Sequence, residues 1–227
     1  MAYFVGLDLA TAVDFTAIAV LHRGDGPKPA YLLQHLQRVR GVPYLGTVTA
    51  PGIVENVRAR LLAEPALRGC HLAVDRTGVG RPVVDAFRAA GLPCVLWALT
   101  ITAGASMHQE QLDLSVPKRD LVGAAQMLLG AGRLHFDSRL PLADTLRQEL
   151  KNFAVKITAA GNEQFAAWRE NATDDCVFAV AMACWLGERF GSADPRNILS
   201  GGGIKGTYPR GTFATDTPDM RRLSRDW

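Results

Sequence analysis

The chain has 227 residues, 48% of them hydrophobic and 21% charged, with a formal net charge of +3. These proportions exclude a disordered or low-complexity chain and provide for one large core, with or without an appendage. The mild positive charge permits nucleic-acid binding without arguing for it. The four cysteines are scattered, with no CxxC pair, and read as reduced thiols of a cytosolic protein rather than a disulfide frame or zinc site. No apolar stretch is long enough to span a membrane, and no basic region precedes the first apolar run, so neither an anchor nor a signal peptide is expected.

Tyr3 to Ala10 (YFVGLDLA) is apolar on both faces, which is the pattern of a central strand buried on two sides. Asp8 interrupts it. An ionised carboxylate in such a strand costs several kcal/mol or more unless a cation or a set of donors meets it. A polar turn through Asp14 leads to a second strand at Thr16 to His22, and a Gly/Pro turn leads to a third at Ala30 to Val39. Short turns make these three strands antiparallel. A loop precedes a helix at Pro51 to Glu64, where Ile53, Val54, Val57 and Leu61 fall at helical spacing.

His71 to Asp75 is the next buried strand, ending in a tight TGVG turn and a helix over Pro82 to Ala90. Cys94 to Ile101 is a further strand, followed by a polar loop from Thr102 to Ser115 in which His108 reads as a solvated side chain. A helix runs from Pro117 to Leu129, a short strand covers Arg133 to Phe136, and another helix covers Pro141 to Lys151. Phe153 to Thr158 and Glu163 to Trp168, separated by an AAGN turn, predict a β-hairpin. Thr173 to Phe190 is the last strong helix. From Gly191 the periodicity vanishes, so residues 1–190 are expected to form the folded domain and 191–227 a flexible tail. The GGGIKGT segment of that tail does not fit a phosphate loop, because no strand precedes it.

A strand–helix–strand crossover sets parallel strands side by side, so docking the fourth strand on the first would make Asp8 and Asp75 neighbours. Asp75 ends its strand where ligands of α/β sheets usually bind. Asp174 and Asp175 open the last helix, where negative charge is stabilised by about 0.3–1 kcal/mol even with no further role. Taken together these acids would repel one another unless a cation lay between them. An all-oxygen donor set suits Mg²⁺ or Mn²⁺ rather than zinc, and two such ions can hydrolyse a phosphodiester.

The runs GLDLATAVDFTAIAV, AVDRTGVGRPVVDAF, VPKRDLVGAAQMLLGAGRLHF and NATDDCVFAVAMA resemble the nuclease domain of phage terminase large subunits, over about residues 3 to 190. The resemblance implies an α/β, ribonuclease H-like fold related to the RuvC resolvases: a mixed central sheet flanked by helices, with an added β-hairpin. It also implies a two-metal endonuclease that cuts concatemeric viral DNA during packaging in the host cytoplasm. By motif match Asp8 and Asp75 are the first two metal ligands, Asp174 or Asp175 the last, and Asp14 an accessory acid. Double-stranded DNA, a separate packaging ATPase, a small terminase and a portal are the implied partners. Thr173 stands where the family commonly has His, and Phe178 where many members have another Asp. No Walker loop is present, so the chain is either an excised nuclease domain or a product whose motor is a separate chain.

Candidate phosphate contacts are Arg76 and Arg81 beside the glycine turn, Lys118 and Arg119 at a helix start, and Lys156 and Arg169 on the expected hairpin. Two other readings stay open. One is a junction resolvase on the same fold. The other is a non-catalytic nucleotide- or nucleic-acid-binding module in which TGVG cradles a phosphate.

Overall fold

A computed structural model describes residues 2–10, 14–159 and 174–191 of the chain, with 152–159 described by backbone alone. Eight strands form one mixed sheet in the order β6-β7-β5-β4-β1-β2-β3-β8. Strands β1 (Ala2–Asp8), β2 (Phe15–Arg23) and β3 (Tyr31–Arg40) are antiparallel neighbours, as their short connections require. Strands β4 (Cys70–Asp75) and β5 (Cys94–Thr102) extend the sheet in parallel on the other side of β1. Strand β8 (Leu134–Phe136) runs parallel to β3 at the far edge.

Two apolar layers follow from strand alternation. Tyr3, Val5 and Leu7 face α1 (Ile53–Ala63) and α2 (Arg81–Ala89). Phe4 and, on β2, Ala17, Ala19 and Leu21 face α3 (Lys118–Gly130), α4 (Ala143–Ala159) and α5 (Asp175–Phe190). Helix α5 is the most enclosed of these. It has almost no polar stripe, because the sheet, α3 and α4 all pack on it, and each large apolar side chain it buries contributes about 1.5–3 kcal/mol.

Gly6 is where β1 and α5 meet. A Cβ on Gly6 would lie 1.9 Å from the Ala179 carbonyl oxygen, so only glycine permits this approach. The far end of α5 is fixed in the same manner: Gly187 lies under the Tyr31 ring, and Gly191 lies beside Arg23, which pairs with Ala2. Helix α5 therefore runs opposite to β1, and its first turn lies at the Asp8 end of the sheet.

Two expectations are corrected. The polar stretch after β5 is not all loop. It contains a short antiparallel hairpin, β6 (His108–Glu110) with β7 (Asp113–Pro117), and β7 pairs in parallel with β5. The hairpin expected at 153–168 does not begin where its sequence suggests, because residues 153–158, including Lys156, continue α4. The β-branched residues there are outweighed by a helix already nucleated upstream, for which each further residue adds one hydrogen bond. The second half of that hairpin, Arg169, and the tail lie outside the described residues.

Candidate metal centre

The register of the sheet puts the first two acids together. Leu7 pairs with Val74, so the next residues on these parallel strands, Asp8 and Asp75, lie side by side at the strands' carboxyl ends. The same row continues through Ala17, which pairs with Asp8, to Arg38, which pairs with Ala17. Residues in one row share a face, and Gly6, two residues before Asp8, faces α5. Asp8, Asp75 and Arg38 thus stand on the face covered by α5, and Asp174 and Asp175 open that helix at the same end.

Asp75 is only 2% exposed. Its Oδ1 accepts the Thr77 backbone N–H at 2.8 Å and the Thr77 hydroxyl, so the turn after β4 fixes the carboxylate. The Thr77 hydroxyl oxygen in turn accepts the Ile101 N–H at 2.8 Å, tying the turn to β5. Beyond Asp8, the Ala10 N–H donates to Thr16 Oγ1 at 3.2 Å, and the Tyr44 hydroxyl donates to the Ala10 carbonyl. The exit of β1 is held from two sides.

Glu149 joins this group, and sequence reasoning missed it. It is 5% exposed on α4, and its Oε2 accepts the Val177 N–H in the first turn of α5 at 3.0 Å. Its Oε1 lies 3.7 Å from the Arg38 guanidinium. The signal was present in the sequence: Ala143, Leu146 and Glu149 form a buried stripe at a spacing of three, and an acid at a core-facing position of a helix demands a reason. Arg38, whose guanidinium stacks 4.4 Å from the Phe15 ring centre, was missed likewise.

The acids burden one another. Burial, then Asp174, pushes Asp175 up to about 6; Arg38 opposes this and Asp14 adds to it. Burial pushes Glu149 up to about 7, with Val177's N–H and Arg38 opposing and Asp175 and Asp174 adding. Asp14, exposed just before β2, is thus near enough to act on Asp175. Cys176, beside Glu149, is pushed well above the ordinary thiol range by burial and offers no thiolate.

The donor chemistry fits a hard divalent cation. Asp175 Oδ2 and Glu149 Oε1 are buried and take no hydrogen bond, and the acids gathered here are carboxylates, with Arg38 as the cation beside Glu149. Among the described residues no three acidic, histidine or cysteine side chains already close on a common point.

The candidate DNA contacts divide. Arg81 is exposed at the start of α2, and Arg119 is exposed and donates to the Ala105 carbonyl at 2.6 Å. Lys118 Nζ sits 4.9 Å from the centre of the Phe178 ring, one turn into α5, which brings it to the acidic end. Arg76 is engaged within the fold: it donates to Thr100 Oγ1 at 2.6 Å and to Asp113 at 3.1 Å, and Asp113 also binds Arg88 of α2. The Lys156 and Arg169 side chains lie outside the described residues.

This mixed sheet, with three antiparallel strands, parallel strands beyond them and a central buried helix, is a ribonuclease H-like fold. Among solved structures, the chain is similar to the large terminase nuclease from thermophilic phage G20c with bound cobalt, with a TM-score of 0.52 and 17% identity over 81% of this chain and 80% of that one. The magnesium-bound form of that nuclease gives 0.51 and 17% over the same shares, and another structure of it gives 0.51 and 17% over 83% and 82%. No family model matches the chain, and no curated relative does. Among the described residues no helix is long and apolar enough to cross a membrane.

Proposed function

We propose that this chain is a divalent-metal-dependent DNA endonuclease of the terminase type, cutting concatemeric viral DNA during genome packaging in the host cytoplasm. The observation that carries this reading is the adjacency of Asp8 and Asp75 on paired strands, at the end of the sheet where α5 begins with Asp174 and Asp175. The likeness to a nuclease solved with bound cobalt and with bound magnesium supports the choice of metal class.

Asp8, Asp75 and one of Asp174 and Asp175 are the metal ligands in this proposal, with Asp14 as an accessory acid. Two Mg²⁺ or Mn²⁺ ions held there would activate water and stabilise the leaving oxygen of the phosphodiester. The chain's own contribution is preorganisation. Thr77 fixes the Asp75 carboxylate, the β1–β4 register fixes Asp8 beside it, and burial of α5 fixes the paired acids. Lys118, Arg81 and Arg119, with Lys156 and Arg169, would hold the phosphate backbone of double-stranded DNA. Arg76 would serve the turn that carries Asp75 more than the DNA. A separate packaging ATPase, a small terminase and a portal are the proposed partners.

Incubation of supercoiled plasmid with the full chain and Mn²⁺, with and without chelator, tests the reading. Linearisation or degradation that is lost with chelator and in Asp8→Ala and Asp75→Ala is the expected result. Plasmid left intact by the wild-type chain under every metal condition would overturn it.

A further inference from the structure

The first turn of a helix presents backbone N–H groups with no partner inside the helix. In α5 the N-cap is Asp174, and its side chain makes no capping hydrogen bond. The Val177 N–H is served from another element, by Glu149 Oε2 at 3.0 Å. Glu149 Oε1 lies 3.7 Å from the guanidinium of Arg38, a charge contact without a hydrogen bond, and Arg38 stands in the same row as Asp8. This arrangement sets a third carboxylate beside two others, where repulsion alone would disfavour it. It connects α4, the first turn of α5 and β3 around the acids.

We propose that Glu149 and Arg38 are a positioning pair: Glu149 caps α5 through the Val177 amide, Arg38 balances the Glu149 charge, and together they set where Asp174 and Asp175 meet the end of β1. The inference rests on the nuclease reading for its consequence, which is metal affinity. Groups that hold metal ligands in place typically change affinity by about 10–100-fold when removed.

The test uses the full chain as wild type, Glu149→Ala, Glu149→Gln and Arg38→Ala. It reads two quantities: Mn²⁺ affinity by calorimetry and amide hydrogen exchange at Val177 without metal. Glu149→Ala is expected to weaken Mn²⁺ binding about tenfold or more and to speed Val177 exchange. Glu149→Gln keeps an oxygen that can accept the Val177 N–H, so it retains amide protection and recovers most of the affinity. Arg38→Ala lies between the two, because Glu149 then keeps its bond to the Val177 N–H but loses its counter-ion. The pair is overturned if Glu149→Ala changes neither quantity. It is also overturned if Glu149→Gln loses as much Mn²⁺ affinity as Glu149→Ala with Val177 still protected, because Glu149 would then bind the ion itself. Should Glu149→Ala fail to fold, the other two variants decide: an Arg38→Ala variant with wild-type Mn²⁺ affinity and wild-type Val177 exchange overturns the pair, as does a Glu149→Gln variant that loses Mn²⁺ affinity about tenfold with Val177 still protected. A wild type that binds no Mn²⁺ defeats the nuclease reading, while Val177 exchange separately decides the cap.

Discussion

Gly6 of β1 and Ala179 of α5 approach so closely that a single added methyl on Gly6 would overlap the Ala179 carbonyl. Ala179 lies one helical turn after Asp175, and Gly6 lies two residues before Asp8. The contact therefore sets the distance between the acids of the helix and the acids of the sheet. Gly6→Ala is expected to push α5 off the sheet and cost about 1–3 kcal/mol as overpacking, with the clash against backbone favouring the upper end. Urea denaturation reads the loss; an unchanged midpoint would mean the helix seats elsewhere.

The pH dependence of stability carries the signature of the crowded acids. Asp175 and Glu149 are raised to about 6 and about 7, so the folded protein holds protons that the unfolded chain has released. Their effect is a loss of stability as pH rises from about 4 to about 7. His35 and His71, lowered to about 4 by burial, act with the opposite sign: their contribution is present above about 6.5 and lost as pH falls towards 4. The acids are isolated by comparison with Glu149→Gln. The Tm of the variant minus that of the wild type is expected to grow from about pH 5 to about pH 8, and Mn²⁺ to shrink it. A difference that stays flat with pH would show that Glu149 is not shifted.

At the opposite end of α5, Glu188 accepts from the Tyr31 hydroxyl at 2.8 Å and from Arg133 at 2.7 and 3.0 Å, while Arg23 donates to the Tyr31 oxygen at 3.2 Å. Burial, then Glu188, pushes the Tyr31 phenol far above its usual range, so it remains a donor. Glu188→Ala leaves three donors without their acceptor and is expected to cost about 2 kcal/mol in chemical denaturation. Arg133→Lys should recover little of an Arg133 deletion, because an ammonium cannot reproduce the two-pronged contact. Full recovery by lysine would show that charge alone matters there.

For the cationic residues the salt dependence of DNA binding is the informative measurement. Lys118→Ala and Arg81→Ala are each expected to weaken binding and to lower the slope of log affinity against log salt by about 1. Arg76→Ala should leave the slope unchanged and reduce stability instead, because it breaks the contacts to Thr100 and Asp113. A drop in slope for Arg76→Ala would place that side chain on DNA.

The strands β1 to β5 and the helices α1 to α3 and α5 were legible to within a few residues, because each is a buried run or an apolar stripe closed by Gly or Pro. The β6–β7 hairpin was not. Its first strand is three exposed polar residues, its second has only Leu114 and Val116 turned to the core, and it owes its place to pairing with β5. Residues 153–158 misled in the other direction, since β-branched residues at a helix end yield to the helix before them.

The sequence by itself determined which acids end strands and which open a helix, because local hydrophobic period and turn chemistry are written residue by residue. Only the tertiary structure decided that Glu149 and Arg38 belong with them and that Arg76 bonds to Thr100 and Asp113. The first depends on how α4, about 140 residues beyond β1, settles against the sheet, and the second on the pairing of β7 with β5; long-range packing has no local period from which to read it.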